Sequence, residues 1–142
     1  MMGLTIDEME LGQSASFSKT ITETDVYLFA GISGDLNPAH INESFAKETM
    51  FKGRIVHGIL CGSLISTVLG MYLPGPGSIY MRQEFKFLAP VRFGDTLTAT
   101  CTVKEKITEK NRVIFDCKVE TQDGTAVIEG EAMIMPPKSK KS

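Results

Sequence analysis

The stretch Gly58-Ile59-Leu60-Cys61-Gly62-Ser63-Leu64-Ile65-Ser66-Thr67-Val68-Leu69-Gly70-Met71-Tyr72 lies in mid-chain, within the longest apolar run. Leu60, Leu64, Ile65, Val68, Leu69 and Tyr72 recur at helical spacing, and Ile59 and Met71 add further apolar surface. A helix apolar on most sides is predicted to be a core helix. Gly58, Gly62, Ser63 and Ser66 are small, so another group can approach its backbone closely. Leu73-Pro74-Gly75-Pro76-Gly77 ends it firmly. The run is interrupted by Gly, Ser and Thr and is too short to span a bilayer, so no membrane partner is expected.

Downstream the period changes from helical to alternating. Ile79, Met81, Phe85 and Phe87 alternate with polar positions, as do Leu97, Ala99, Cys101 and Val103, and Val113, Phe115, Cys117 and Val119. Ala126, Ile128, Ala132 and Ile134 form a last strand, with Gly130 read as a bulge. Gly94-Asp95 and Asp123-Gly124 are turn signals. Upstream, Ser14 to Ile21 suits a first strand. Thr22-Glu23-Thr24-Asp25 opens a helix with a capping box, and Val26, Phe29, Ala30 and Ile32 give it an apolar face. Glu43 to Thr49 is read as another short helix, with Phe45 and Met50 pointing inward. The sum is an α+β chain of about five strands, mostly antiparallel, curved round one long central helix. Such a sheet leaves edges and apolar surface uncovered, so dimerisation is expected.

The composition agrees. The chain has 142 residues, 42% hydrophobic and 23% charged, with a net charge of -2. That suits one domain, residues 1–137, followed by a basic tail at 138–142, and gives no reason to expect a nucleic-acid partner. The acidic N-terminus lacks the pattern of a secretory or transit segment. Cys61, Cys101 and Cys117 show no metal-ligand spacing and read as buried thiols in a reducing cytoplasm.

Chemistry concentrates just upstream of the core helix, in Ser33-Gly34-Asp35-Leu36-Asn37-Pro38-Ala39-His40. Pro38 fixes its own φ and pushes Asn37 out of the α region. The segment is read as a stiff turn, neither regular helix nor strand, that aims Asp35 and His40 at a common point. A carboxylate and an imidazole can together activate water. Equally, Asp35 and Asn37 could do no more than close backbone turns.

This turn, preceded by Phe29-Ala30-Gly31-Ile32, resembles the hydratase motif of the MaoC-like hot-dog family, and within it the (R)-specific enoyl-CoA hydratases. The resemblance continues through Ile55-Val56-His57-Gly58-Ile59-Leu60, Ser63-Leu64, Leu73 to Tyr80, Phe87-Leu88-Ala89-Pro90-Val91 and Gly94-Asp95, nearly the whole chain. Ala39 departs from the family, which usually carries a branched aliphatic residue there. The resemblance implies a hot-dog fold, a homodimer, and reversible syn addition of water to a trans-2-enoyl-CoA, giving the (R)-3-hydroxyacyl-CoA without metal or cofactor. It implies that Asp35 and His40 hold the attacking water, with Asp35 favoured as base. It also implies that the Gly58 N–H polarises the thioester carbonyl. A donor at a helix N-terminus meets the charge that develops there. Ser66 matches a family position lining the acyl pocket, and Ser63 the region near the thioester.

Each candidate also has a plain structural reading. Asn37 and His57, candidates with Ser63 and Ser66 for binding substrate, suit equally a turn-closing side chain and a structural or orienting imidazole. Gly58 could serve close packing alone, and Ser63 and Ser66 could bond back to their own helix. Tyr80, Met81, Gln83 and Phe85 read as core or tunnel packing, and Arg54 and Arg82 as solvated charges. A hot-dog thioesterase or a non-catalytic acyl-CoA-binding subunit are the competing functions, because fold alone does not choose among them.

Overall fold

The computed structural model describes residues 1–138. Apart from the exposed Lys138, the expected basic tail lies outside the described residues. A short 3-10 turn (Ile6–Glu8) precedes β1 (Ser14–Thr20), α1 (Glu23–Ser33), α2 (Pro38–Ile41) and α3 (Glu43–Ala46). The central helix α4 (Gly58–Thr67) runs on into a π-helical turn (Val68–Tyr72). β2 (Ile79–Gln83), β3 (Lys86–Phe87), β4 (Thr96–Ile107), β5 (Arg112–Glu120) and β6 (Ala126–Met135) follow. The sheet is antiparallel in the order β1-β4-β5-β6-β2, with β3 also paired to β6.

The sheet is thus five places wide, as expected, with its last place filled by two pieces. The break falls at Glu84, whose N–H bonds to Glu131 O at 2.8 Å. Gly130 explains the break. Its Cα faces the Glu84 carbonyl so closely that no Cβ could fit. Gly130 pairs in regular register with Cys117, so the bulge expected there is absent. What the glycine provides is close backbone approach. Register shifts fall instead at Tyr80/Arg82, Val103/Glu105 and Val119/Glu120.

The alternating residues of β4 and β5 behave as their pattern predicts. Leu97, Ala99, Cys101, Val103, Val113, Phe115, Cys117 and Val119 share one buried core with Cys61, Leu64 and Ile65 of α4 and with Val68 and Leu69 of the π-helical turn. Each such aliphatic side chain contributes about 2 kcal/mol by leaving water. The outer face between β1 and β4 carries hydroxyl pairs instead: Ser16 with Thr100 at 2.9 Å, and Ser18 with Thr98 and Thr20 with Thr96 at 2.7 Å. Such cross-strand pairs satisfy polar groups without apolar burial. This is the hot-dog arrangement, a curved sheet on a central helix.

Some local expectations change. The side of α4 carrying Ile59, Ser63, Ser66 and Gly70 is exposed, as are Met71 and Tyr72. The helix therefore packs on one side against its own sheet and leaves the other bare. Ile32 points to solvent, and α1 buries Val26 and Ala30. Phe45 and Met50 face outward, because the expected helix of 43–49 is the single turn α3 and cannot present a full apolar face. The capping box of α1 is present, with Asp25 N–H donating to Thr22 Oγ1 at 3.1 Å and Thr22 N–H donating to Asp25 Oδ2 at 2.9 Å.

Candidate active site

Gly34 ends α1 with a left-handed φ of 80° and turns the chain outward at Asp35. The side chains that follow close the turn on themselves. Asp35 Oδ1 accepts the Asn37 N–H at 3.2 Å, and Asn37 Oδ1 accepts the Ala39 N–H at 2.9 Å. Asn37 thereby caps α2, with Pro38 at the first helical position, where its missing N–H costs nothing. The segment expected to be wholly irregular thus becomes a helical turn from Pro38 onward. Its capping demand is local, and the Asn37 side-chain oxygen meets it by closing the turn.

His40 lies on the last turn of α2. The Ile55 N–H donates to Ala39 O at 3.2 Å, which holds the 55–57 segment beside α2. His40 Nδ1 lies 2.7 Å from Ile55 O. A carbonyl only accepts, so a hydrogen sits on Nδ1, and Nε2 is left free to face other groups. His57 uses its opposite nitrogen, with Nε2 2.9 Å from the Asp35 carbonyl oxygen, so its hydrogen sits on Nε2. Side-chain atoms of Asp35, His40 and His57 gather within 4.8 Å of one another.

Next to His40 opens an apolar cavity of about 530 Å³, lined among others by Phe51, Gly58, Ile59, Phe87 and Val127. Gly58 is the first residue of α4, and no side chain caps that helix end. Its unpaired N–H groups and the positive end of the dipole make it a place for a developing oxyanion. The cavity thus brings an imidazole, a helix end and apolar walls to one place. A carboxylate stands within reach of the imidazole.

Not every expected residue converges here. His57 is buried behind His40 and does not line the cavity. Ser63 and Ser66 line a separate cavity of about 350 Å³ with Gly62, Tyr80, Met81 and Phe85. Ser63 Oγ donates back to Leu60 O at 2.6 Å, the helix-bonding alternative. Arg54 is engaged locally, 2.7 Å from Glu23, 2.8 Å from the Tyr27 hydroxyl and stacked over Phe93 at 4.8 Å. Phe87 and Val127 escaped notice as cavity wall. Alternation marks a strand face, and nothing in it distinguishes a wall from a core.

The model of the MaoC-like domain matches residues 8–125. The chain belongs to this family. A relative from Rhodospirillum rubrum, named (R)-specific enoyl-CoA hydratase, is 56% identical over 131 residues, covering 92% of this chain and 90% of the relative. A protein of that name from Aeromonas caviae is 39% identical and covers 94% of this chain and 100% of its own length. Among solved structures, the unliganded R-hydratase from Pseudomonas aeruginosa superposes with a TM-score of 0.90 at 44% identity, covering 97% of this chain and 88% of that one. The MaoC-like fold therefore holds over almost all of the chain. No helix among the described residues is long and apolar enough to cross a membrane.

Proposed function

We propose that this protein is an (R)-specific enoyl-CoA hydratase. It adds water reversibly and syn to trans-2-enoyl-CoA, giving the (R)-3-hydroxyacyl-CoA. The observation that carries the reading is His40, which lines an apolar cavity together with Gly58 while its ring stands within reach of the Asp35 carboxylate. The names of the close relatives support it.

In this reading Asp35 and His40 hold the attacking water, and Asp35 takes a proton from it as its oxygen bonds to C3. The C2=C3 electron pair moves toward C1 and leaves an enolate on the thioester oxygen. The Gly58 N–H meets that oxygen, and one such donor is worth about 3 kcal/mol of barrier. A proton is then returned to C2 on the same face and the carbonyl re-forms. The apolar walls accept the acyl chain and exclude bulk water, which strengthens the donor.

The working unit of this proposal is a homodimer of single MaoC-like domains. β2 is an unpaired edge with Ile79, Tyr80 and Met81 exposed, and the bare side of α4 adjoins it through the second cavity. An edge of that length and polarity is a template for pairing. Ser63 and Ser66 would then meet substrate or partner at that junction. Three free buried thiols suit a reducing compartment such as the cytoplasm.

The test offers crotonyl-CoA and follows loss of the conjugated-enoyl absorbance while free thiol is assayed, with the configuration of the product determined. Hydration to the (R)-alcohol is expected. Thiol release without hydration would identify a thioesterase, and neither signal would leave a binding subunit.

A further inference from the structure

We infer that His57 is a positioning residue for the hydration, tying the water-holding pair to the start of α4; this rests on the hydratase reading above. His57 is 1% exposed, so it meets neither solvent nor the cavity. Four contacts define its place. Its Nε2–H donates to the Asp35 carbonyl at 2.9 Å and so anchors the backbone that carries the carboxylate. Its ring lies against that of His40, with centroids 3.9 Å apart and planes inclined by 31°. Phe29 of α1 packs on it at 4.9 Å. Its own carbonyl accepts the Cys61 N–H at 3.2 Å, closing the first turn of α4 one residue before Gly58.

One buried ring therefore sets the separation between the water site and the helix end. These are the two groups that must act together on one substrate, one at C3 and the other at the carbonyl oxygen of C1. An error of about 1 Å in such a separation can cost about 100-fold in rate. The tautomer makes the arrangement one-directional. With its hydrogen on Nε2, His57 keeps a lone pair on Nδ1, and that buried atom has no hydrogen-bond partner among the described residues. An orphaned buried acceptor is destabilising and calls for an explanation. A leucine would fill the space without it. The imidazole is kept for the donor that it offers to Asp35, not for what it contributes to the core.

Three variants test this, each measured beside the wild type for crotonyl-CoA hydration and for melting by circular dichroism. Gln can carry an amide N–H to the position of Nε2, whereas Asn reaches only that of Nδ1 and Leu has none. An inactive wild type would overturn the hydratase reading itself, a result separable from those below. With an active wild type, H57N and H57L are expected to lose about 100-fold in kcat with KM changed by less than about 3-fold. H57Q should stay within about 10-fold of wild-type kcat, and H57L should melt within a few degrees of the wild type. Wild-type kcat in H57L overturns the proposal, as does equal impairment of the Gln and Asn variants. So does loss of activity only in proportion to the unfolded fraction.

Discussion

The ring of Phe87 fills the space that a β-carbon on Gly58 would need. Such a carbon would lie 2.7 Å from Phe87 Cε1 and 2.8 Å from Cδ1. Strand β3 and the first residue of α4 are thus in direct contact at the head of the cavity. Phe85 presses on Gly62 in the same way, one turn further along. The two glycines form a groove in which the aromatic rings of the β2–β3 segment rest.

Gly58→Ala is therefore expected to push the Phe87 ring into the cavity. The Ala N–H remains, so the loss comes from displaced geometry, and kcat/KM should fall by about 100-fold. Phe87→Ala removes the obstacle. The double variant should be less impaired than the product of the single ones, a non-additivity read from hydration kinetics on all four proteins.

Asp35→Asn keeps an oxygen for the Asn37 N–H, so the turn and the fold should persist. The carboxylate charge is lost. Hydration should fall by about 100-fold to 10,000-fold with an unchanged melting temperature. Unchanged turnover would remove Asp35 from the mechanism.

The capping box of α1 makes an acid-sensitive contribution. The Thr22 N–H, bonded to the carboxylate, holds the Asp25 carboxyl below its ordinary value, and Lys19 at 3.0 Å acts in the same direction. A depressed folded-state value means that the stabilisation is present above the unfolded value and lost as pH falls through the folded one. Below about pH 4 the wild type should therefore lose stability more steeply than Asp25→Asn. At neutral pH, Thr22→Ala should cost about 1 kcal/mol in urea unfolding.

The cysteines should be silent in the native protein. Burial pushes the Cys61 thiol up to about 12, and the adjoining Cys117 thiol together with burial raises that of Cys101. A thiol is a poor nucleophile unless ionised. At pH 8 an aromatic disulfide reagent should find almost no reactive thiol before denaturant is added, and all three cysteines afterwards.

A charge on the free edge tests the proposed dimer. Met81 is 46% exposed in the middle of β2. Met81→Lys should shift sedimentation from dimer to monomer, because a lysine on an edge strand opposes pairing. An unchanged dimer would mean that association uses another surface.

Much of this was legible in the residues themselves. The helix of Gly58–Tyr72, the alternation of β4 and β5, the Thr22–Asp25 cap and the Asp35-Leu36-Asn37-Pro38 turn each depend on groups a few positions apart. The chain carries that information directly, through side-chain period, fixed proline geometry and short hydrogen bonds. The turn is specific enough in its residues to place the chain in its family.

Folding alone decided which groups meet across long separations. No local period tells that Glu84 reaches Gly130, that Phe87 rests on Gly58, or that the second imidazole lies beneath the first. The same holds for the serines of α4, which stand at helical spacing from Gly58 but face a different cavity. A helix presents residues to several directions at once, and only the packing of the sheet against one of them decides which side becomes core and which stays bare.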